Sequence, residues 1–345
     1  MATLVFITQQ VDPRHPALAA TVPKIRALAE FVDEVVVLAD GAVEGVLPGN
    51  CRVRTFRSGL KVGRGARFET ALVRELNALR RGGAVVAHMC PIYAVLAAPV
   101  VRPFGVPVVL WFTHWRSSRL LQLAERASTA VTTVDERSFP FPSRKLRAIG
   151  HGIDLDEFPC APVRDGEGLR LLALGRYSTA KGLDVVVASV PLAGGGTTLD
   201  VHGPTLSEDE RAHRAELEQL VRELGLEGRV TVGDPVPRTE IPALFASHDA
   251  LVNNMRAGAP DKVVYEAAAS CLPVLASNPI FDELLDPEQR FVRWDARALA
   301  VRIQALGDLK ADERAALGRR LRERVAAGHS VRSWARGILD AAELS

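Results

Sequence analysis

Short apolar runs alternate with longer amphipathic stretches along most of the chain. Residues 4–8, 34–38, 84–88, 108–112 and 130–134 are nearly all apolar, as strands buried on both faces must be. Between them, 17–29 and 68–79 repeat apolar residues at intervals of three and four and predict helices facing a core. A second series starts after residue 165, with strands expected at 169–174, 198–202, 229–232, 250–253 and 273–276 and helices such as 208–224 between them. Alternation of this kind predicts parallel strands joined by right-handed crossovers. The stretch 151–162 is rich in turn formers and is followed by the polar residues 165–168, which places a linker there. At the end, 312–327 and 331–344 predict two more helices, separated at Gly328. The expected organisation is α/β: one Rossmann-like domain over 1–160, a second over 161–328, and a terminal helix in 329–345 that can close either.

Composition narrows the classes. A chain of 345 residues with 48% hydrophobic content can build two cores, and a net charge of +2 gives no global field for nucleic acid. Residues 1–8 lack a basic lead and have too short an apolar stretch for a secretion signal. The apolar region 84–101 is broken by His88, Pro91 and Pro99, so no membrane span is expected and the placement expected is cytoplasmic. Cys51, Cys90, Cys160 and Cys271 are scattered without zinc-binding spacing and read as four reduced thiols. Neither a Walker loop nor a dinucleotide glycine pattern is present, which argues against hydride chemistry. Asp154-Leu155-Asp156 falls in the linker and reads as a turn, so no metal is expected.

Two segments carry candidate chemistry: 175–182, which holds Arg176 and Lys181, and 259–266, which holds Lys262 and Glu266. Each follows a predicted strand and opens a predicted helix, the place where ligands sit in an open α/β sheet. A guanidinium, an ammonium, helix-start amides and a carboxylate one turn into the second helix suit a nucleoside diphosphate. Only six of the 43 basic residues are lysine, and two of those six fall in these segments. His114 follows the strand at 108–112, whereas His88, His151 and His202, at other strand ends, read as structural.

In order and spacing these features resemble the retaining glycosyltransferases of family 4. Val11-Asp12-Pro13, His114, His151-Gly152-Ile153-Asp154 with Phe158, the two segments above, Asp249-Ala250-Leu251-Val252, and Ser330 with Trp334 carry the likeness. The resemblance implies a GT-B-like fold, two Rossmann-like domains facing a central cleft that closes to exclude water. It implies that Arg176 and Lys181 hold the donor diphosphate, that Glu266 accepts from the ribose hydroxyls, and that His114 approaches the donor sugar. Transfer would need no metal or other cofactor, with a nucleotide sugar as donor and a sugar or lipid-linked acceptor. The chain departs from the family at Gly258, where the first of two glutamates ordinarily contacts the donor sugar, and in a first loop without paired glycines. An epimerase or hydrolase on the same scaffold, or a non-catalytic sugar-nucleotide binder, are the other readings.

Residues 52–81 hold nine basic and two acidic residues. They read either as a solvated loop and helix face or as a surface for anionic membrane, with Phe56, Leu60 and Phe68 supplying apolar contact.

Overall fold

The computed structural model describes residues 2–15, 18–163 and 168–344, so residue 17 of the expected first helix and 165–167 of the expected linker lie outside it. The chain divides into two compact units, the first running to Asp154 and resuming at Gly328, the second spanning Leu155–Ala327.

Unit 1 contains β1 (Thr3–Val11), α1 (Thr21–Ala29), β2 (Glu34–Ala42), β3 (Cys51–Thr55), α2 (Lys61–Leu79), β4 (Ala84–His88), α3 (Pro91–Val101), β5 (Val108–Trp111), α4 (Arg119–Ala127), β6 (Ala130–Thr133) and β7 (Leu146–Ala148). Its sheet runs β3-β2-β1-β4-β5-β6-β7 with parallel pairing throughout the described residues. Leu4, Val5, Phe6 and Ile7 are fully buried, which explains why β1 reads as continuous rather than alternating. The apolar pattern misses β3 and β7, which lie at the two edges of the sheet. In β3, Arg52 pairs with Glu34 and with Glu75 at 3.1 Å, and Arg54 pairs with Glu75 at 2.7 Å. Charged side chains on an edge blunt unwanted pairing and erase the hydrophobic signal.

Helix α2 starts seven residues before its expected first position, because Gly63 and Gly65 interrupt the apolar period. Phe56 and Phe68 are fully buried, with ring centroids 5.0 and 4.7 Å from Tyr93. This corrects the expectation that they face outward; Leu60 at 76% and Val62 at 86% are the most exposed apolar side chains of the basic stretch.

Unit 2 contains β8 (Arg170–Leu174), α5 (Leu183–Ser189), β9 (Thr198–His202), α6 (Glu208–Glu223), β10 (Val230–Gly233), α7 (Ile241–Ala246), β11 (Ala250–Asn253), α8 (Lys262–Ala269), β12 (Val274–Ala276), α9 (Ala296–Asp308) and α10 (Ala311–Gly328). Its described strands form a parallel sheet in the order β10-β9-β8-β11-β12. Cys160 and Cys271 are joined by a disulfide, which corrects the reading of four free thiols; residues 111 apart give no spacing signal. Arg322 of α10 fastens the same region by donating to the carbonyls of Leu155, Phe158 and Ala269.

The last helix, α11 (Val331–Ala341), belongs to unit 1. Ser330 caps it by accepting from the Ser333 amide, and Ile153 exchanges backbone bonds with His329 and Val331. Trp334 is fully buried, edge-on to Phe6 and Trp111, and the Lys24 ammonium lies 3.8 Å from the centre of the Trp111 ring. Gly152 sits at φ +76, and a Cβ there would fall 2.6 Å from Lys24 Cε.

Unit 1 buries histidines as neutral rings. Burial pushes His329 down to about 4 from an ordinary 6.5, and burial followed by the Lys24 charge holds His88 well below its usual range. Between those values the unfolded chain binds the proton and the native one does not, so this stability is complete above pH 6.5 and lost as pH falls towards 4. Urea unfolding followed by tryptophan fluorescence should show a loss on the order of 1–3 kcal/mol from pH 7 to pH 5, reduced in His329→Asn.

Candidate functional site

The first candidate segment leaves β8 through Gly175, forms a short turn at Thr179–Lys181, and enters α5 through Gly182. Ser178 caps the turn by accepting from the Ala180 amide. Gly175 has φ +132, and a Cβ built on it would fall 2.2 Å from Lys181 Nζ, so glycine is what allows the lysine to fold back over the strand end. Its ammonium donates to the Leu174 carbonyl at 2.9 Å and to the Asp261 carboxylate. Asn253 donates to the same Asp261 oxygen at 2.8 Å. The ion pair of Lys181 with Asp261, the residue before α8, therefore brings the two segments together.

Further bonds fix the loops around this pair. Asn254 donates to the Gly182 carbonyl at 3.0 Å, and both the Arg256 amide and the Arg293 guanidinium donate to the Ala180 carbonyl at 3.0 Å. Buried Asn278 donates to the carbonyls of Arg256 and Ala259, holding the turn that contains Gly258. Gly258 lies at φ +78. A glutamate there would be strained in the left-handed region.

Glu266, one turn into α8, is 5% exposed. Lys262 Nζ reaches its Oε1 at 2.8 Å, and Arg238 Nη1 reaches the same oxygen at 2.9 Å. Burial alone would raise this carboxyl; the charges of Lys262 and Arg238 outweigh it and hold the group below the usual glutamate range. Arg238 is anchored on its other side by Glu157, at 2.7 Å.

Arg176 is placed differently. It is 58% exposed, and its guanidinium lies 3.5 Å from buried Glu210 in the first turn of α6. His114 belongs to unit 1, where its Nδ1 accepts from the Arg116 amide at 3.0 Å and its ring stacks on Trp115. Burial, then the Arg116 charge, lower its pKa and favour the neutral imidazole. Sequence reading missed Arg238, Glu157 and the role of Asp261. Arg238 is one arginine among 37 and lies outside any strand-end motif, whereas Asp261 lies inside a candidate segment but meets its partner Lys181 80 residues away.

Both candidate loops thus stand at the C-terminal ends of parallel strands of unit 2. Residues 188–340 match the family model described as glycosyl transferase-like. Anabaena HepE solved with UDP superposes with a TM-score of 0.78 at 17% identity, covering 99% of this chain and 100% of that one. The chain has a GT-B-like fold. Two further GT-B relatives in structure are sucrose-phosphate synthase from Thermosynechococcus elongatus, with a TM-score of 0.75 at 18% identity and 99% and 98% coverage, and the lipopolysaccharide outer core galactosyltransferase WaaB, with 0.69 at 12% and 98% of both chains. No curated protein matches by sequence. The expected resemblance to GT-B glycosyltransferases therefore holds for the fold and, in sequence, for much of unit 2.

Replacing Arg238 by Met strips one cation from a buried carboxylate and should cost about 1–3 kcal/mol. Glu266 supplies stability that is complete above its ordinary 4.5 and lost as pH falls through its lowered value. With Arg238→Met that loss should begin at a higher pH, seen as an upward shift of the acid-unfolding midpoint.

Proposed function

We propose that the protein is a retaining glycosyltransferase of family 4 that moves a sugar from a nucleoside-diphosphate sugar to an acceptor hydroxyl without a metal ion. The observation that carries this reading is Lys181, folded over Gly175 and aimed by Asp261, beside a buried Glu266 kept ionised. An ammonium has three protons, and two are used by Leu174 and Asp261, which leaves one for a diphosphate oxygen. Arg176, loosely paired and exposed, is free to swing onto the same diphosphate. As the bond between anomeric carbon and phosphate breaks, negative charge grows on the leaving group, and these two cations stabilise it there. Glu266 Oε2 has no partner among the described residues and accepts from the ribose hydroxyls. Lys262 is committed to Glu266 and serves to hold its charge rather than to bind phosphate.

Retention follows from attack by the acceptor hydroxyl on the face that the diphosphate leaves, with a donor phosphate oxygen taking the proton. His114, as a neutral imidazole, exchanges hydrogen bonds with the donor sugar, and unit 1 holds the acceptor. Anabaena HepE, similar in fold, has been solved with UDP and glucose and with UDP-glucose, which supports a nucleotide-sugar donor for this chain too. The turn at Gly258 leaves donor-sugar selection to other groups. A non-catalytic binder would share the nucleotide site and differ only in lacking turnover.

The working location is the cytoplasm, at the inner face of the membrane. Among the described residues no helix is long and apolar enough to cross a bilayer. Leu60 and Val62 flank Lys61 and present apolar surface beside basic side chains, the combination that favours peripheral contact with anionic lipid. In a reducing compartment the Cys160–Cys271 pair would be open, and the Arg322 bonds would hold that part of unit 2.

Arg176→Ala and Lys181→Ala should each lower turnover by about 10²–10³-fold with whichever of the UDP, GDP, ADP or TDP sugars is used; rates near wild type in both would refute the donor-site assignment. In flotation assays the protein should rise with anionic but not neutral vesicles, and Leu60→Asp with Val62→Asp should abolish the rise.

A further inference from the structure

Unit 1 contains a cavity of about 670 Å³ at the C-terminal ends of its central strands. Gln9 and Gln10 enter from β1, Asp40 from β2, and Lys61 and Arg64 from the first turn of α2, while Tyr93 lines part of the wall. Gln10 is laid over Gly41, where a Cβ would fall 2.5 Å from its Oε1, so its amide position is set by the backbone. Size and lining suit a ligand of one or two sugar units with several hydroxyls.

The charges in this cavity are not balanced for a neutral ligand. Arg64 meets Asp40 at 3.4 Å, a loose pair, and Asp40 Oδ1 has no hydrogen-bond partner. Lys61 has no ion-pair partner among the described residues and remains a free cation. It also stands at the first position of a 19-residue helix that has neither an acidic residue in its first turn nor a side-chain cap. A lysine there opposes the helix dipole, and the first-turn amides lack the side-chain acceptor that would ordinarily cap them. An anion at this point would satisfy amides, dipole and lysine together.

We propose that this cavity is the acceptor site and takes a saccharide bearing an anionic group, phosphate or carboxylate. Lys61 and Arg64 receive the charge, and Gln9, Gln10 and Asp40 receive the hydroxyls. The proposal rests on the glycosyltransferase reading and adds to it the chemical class of the acceptor.

Calorimetric titration of the full chain tests it. The donor site is first saturated with whichever of UDP, GDP, ADP and TDP binds most tightly. Glucose 6-phosphate, glucuronate, glucose and inorganic phosphate are then titrated separately. Both charged sugars should bind at least tenfold more tightly than glucose and than phosphate alone, and weaken as salt is raised. Lys61→Gln, at an exposed position where folding is not at risk, should lower charged-sugar affinity about five- to tenfold and leave glucose unaffected, as should Arg64→Gln. Equal binding of glucose, phosphate alone binding as well as the sugar phosphate, or no effect of Lys61→Gln would overturn the proposal. Absence of nucleotide binding in the first step would instead refute the donor reading on which it rests.

Discussion

The candidate site in unit 2 depends on one ammonium group held in place. Lys181 must lie over the end of β8 for two loops to meet, and it can do so only because residue 175 has no side chain. Asp261 then fixes its direction from the start of α8, and Asn253 at the end of β11 fixes Asp261. Two segments about 80 residues apart, the end of β8 and the connection from β11 to α8, are thereby locked around a single cation. A largely covered cation with fixed partners is held in one direction before any ligand is present.

The same logic governs Glu266. A carboxylate this deeply buried would ordinarily take up a proton and cease to be a strong acceptor. Lys262 and Arg238 prevent that by meeting one oxygen from two sides, and Glu157 keeps Arg238 from drifting. The surrounding Ala267, Ala268 and Ala269 are buried and let α8 pack closely on the sheet. Lys181 and Glu266 are thus held in place by different means, one by backbone clearance and the other by counter-charge.

Much of this was legible from residues alone, but not all. Strands buried on both faces announce themselves as apolar runs, whereas the edge strands β3 and β7 do not, because their outward side chains answer to water and to charge partners. The positions of Arg176, Lys181 and Glu266 next to strand ends were legible because the strands before them read as apolar runs. Arg238, Glu157 and the disulfide between Cys160 and Cys271 were not, since each acts through a partner distant in sequence. Phe56 and Phe68 were misread because a basic stretch looks like surface even when every few residues one side chain turns inward to the core.

Hydrogen–deuterium exchange with and without UDP, GDP, ADP or TDP tests the central claim most directly. One nucleotide should slow exchange at residues 175–183 and 258–266 together, because Lys181 and Asp261 couple the two loops. Protection elsewhere in the chain but not in these loops, or in neither with any of the four nucleotides, would contradict the account.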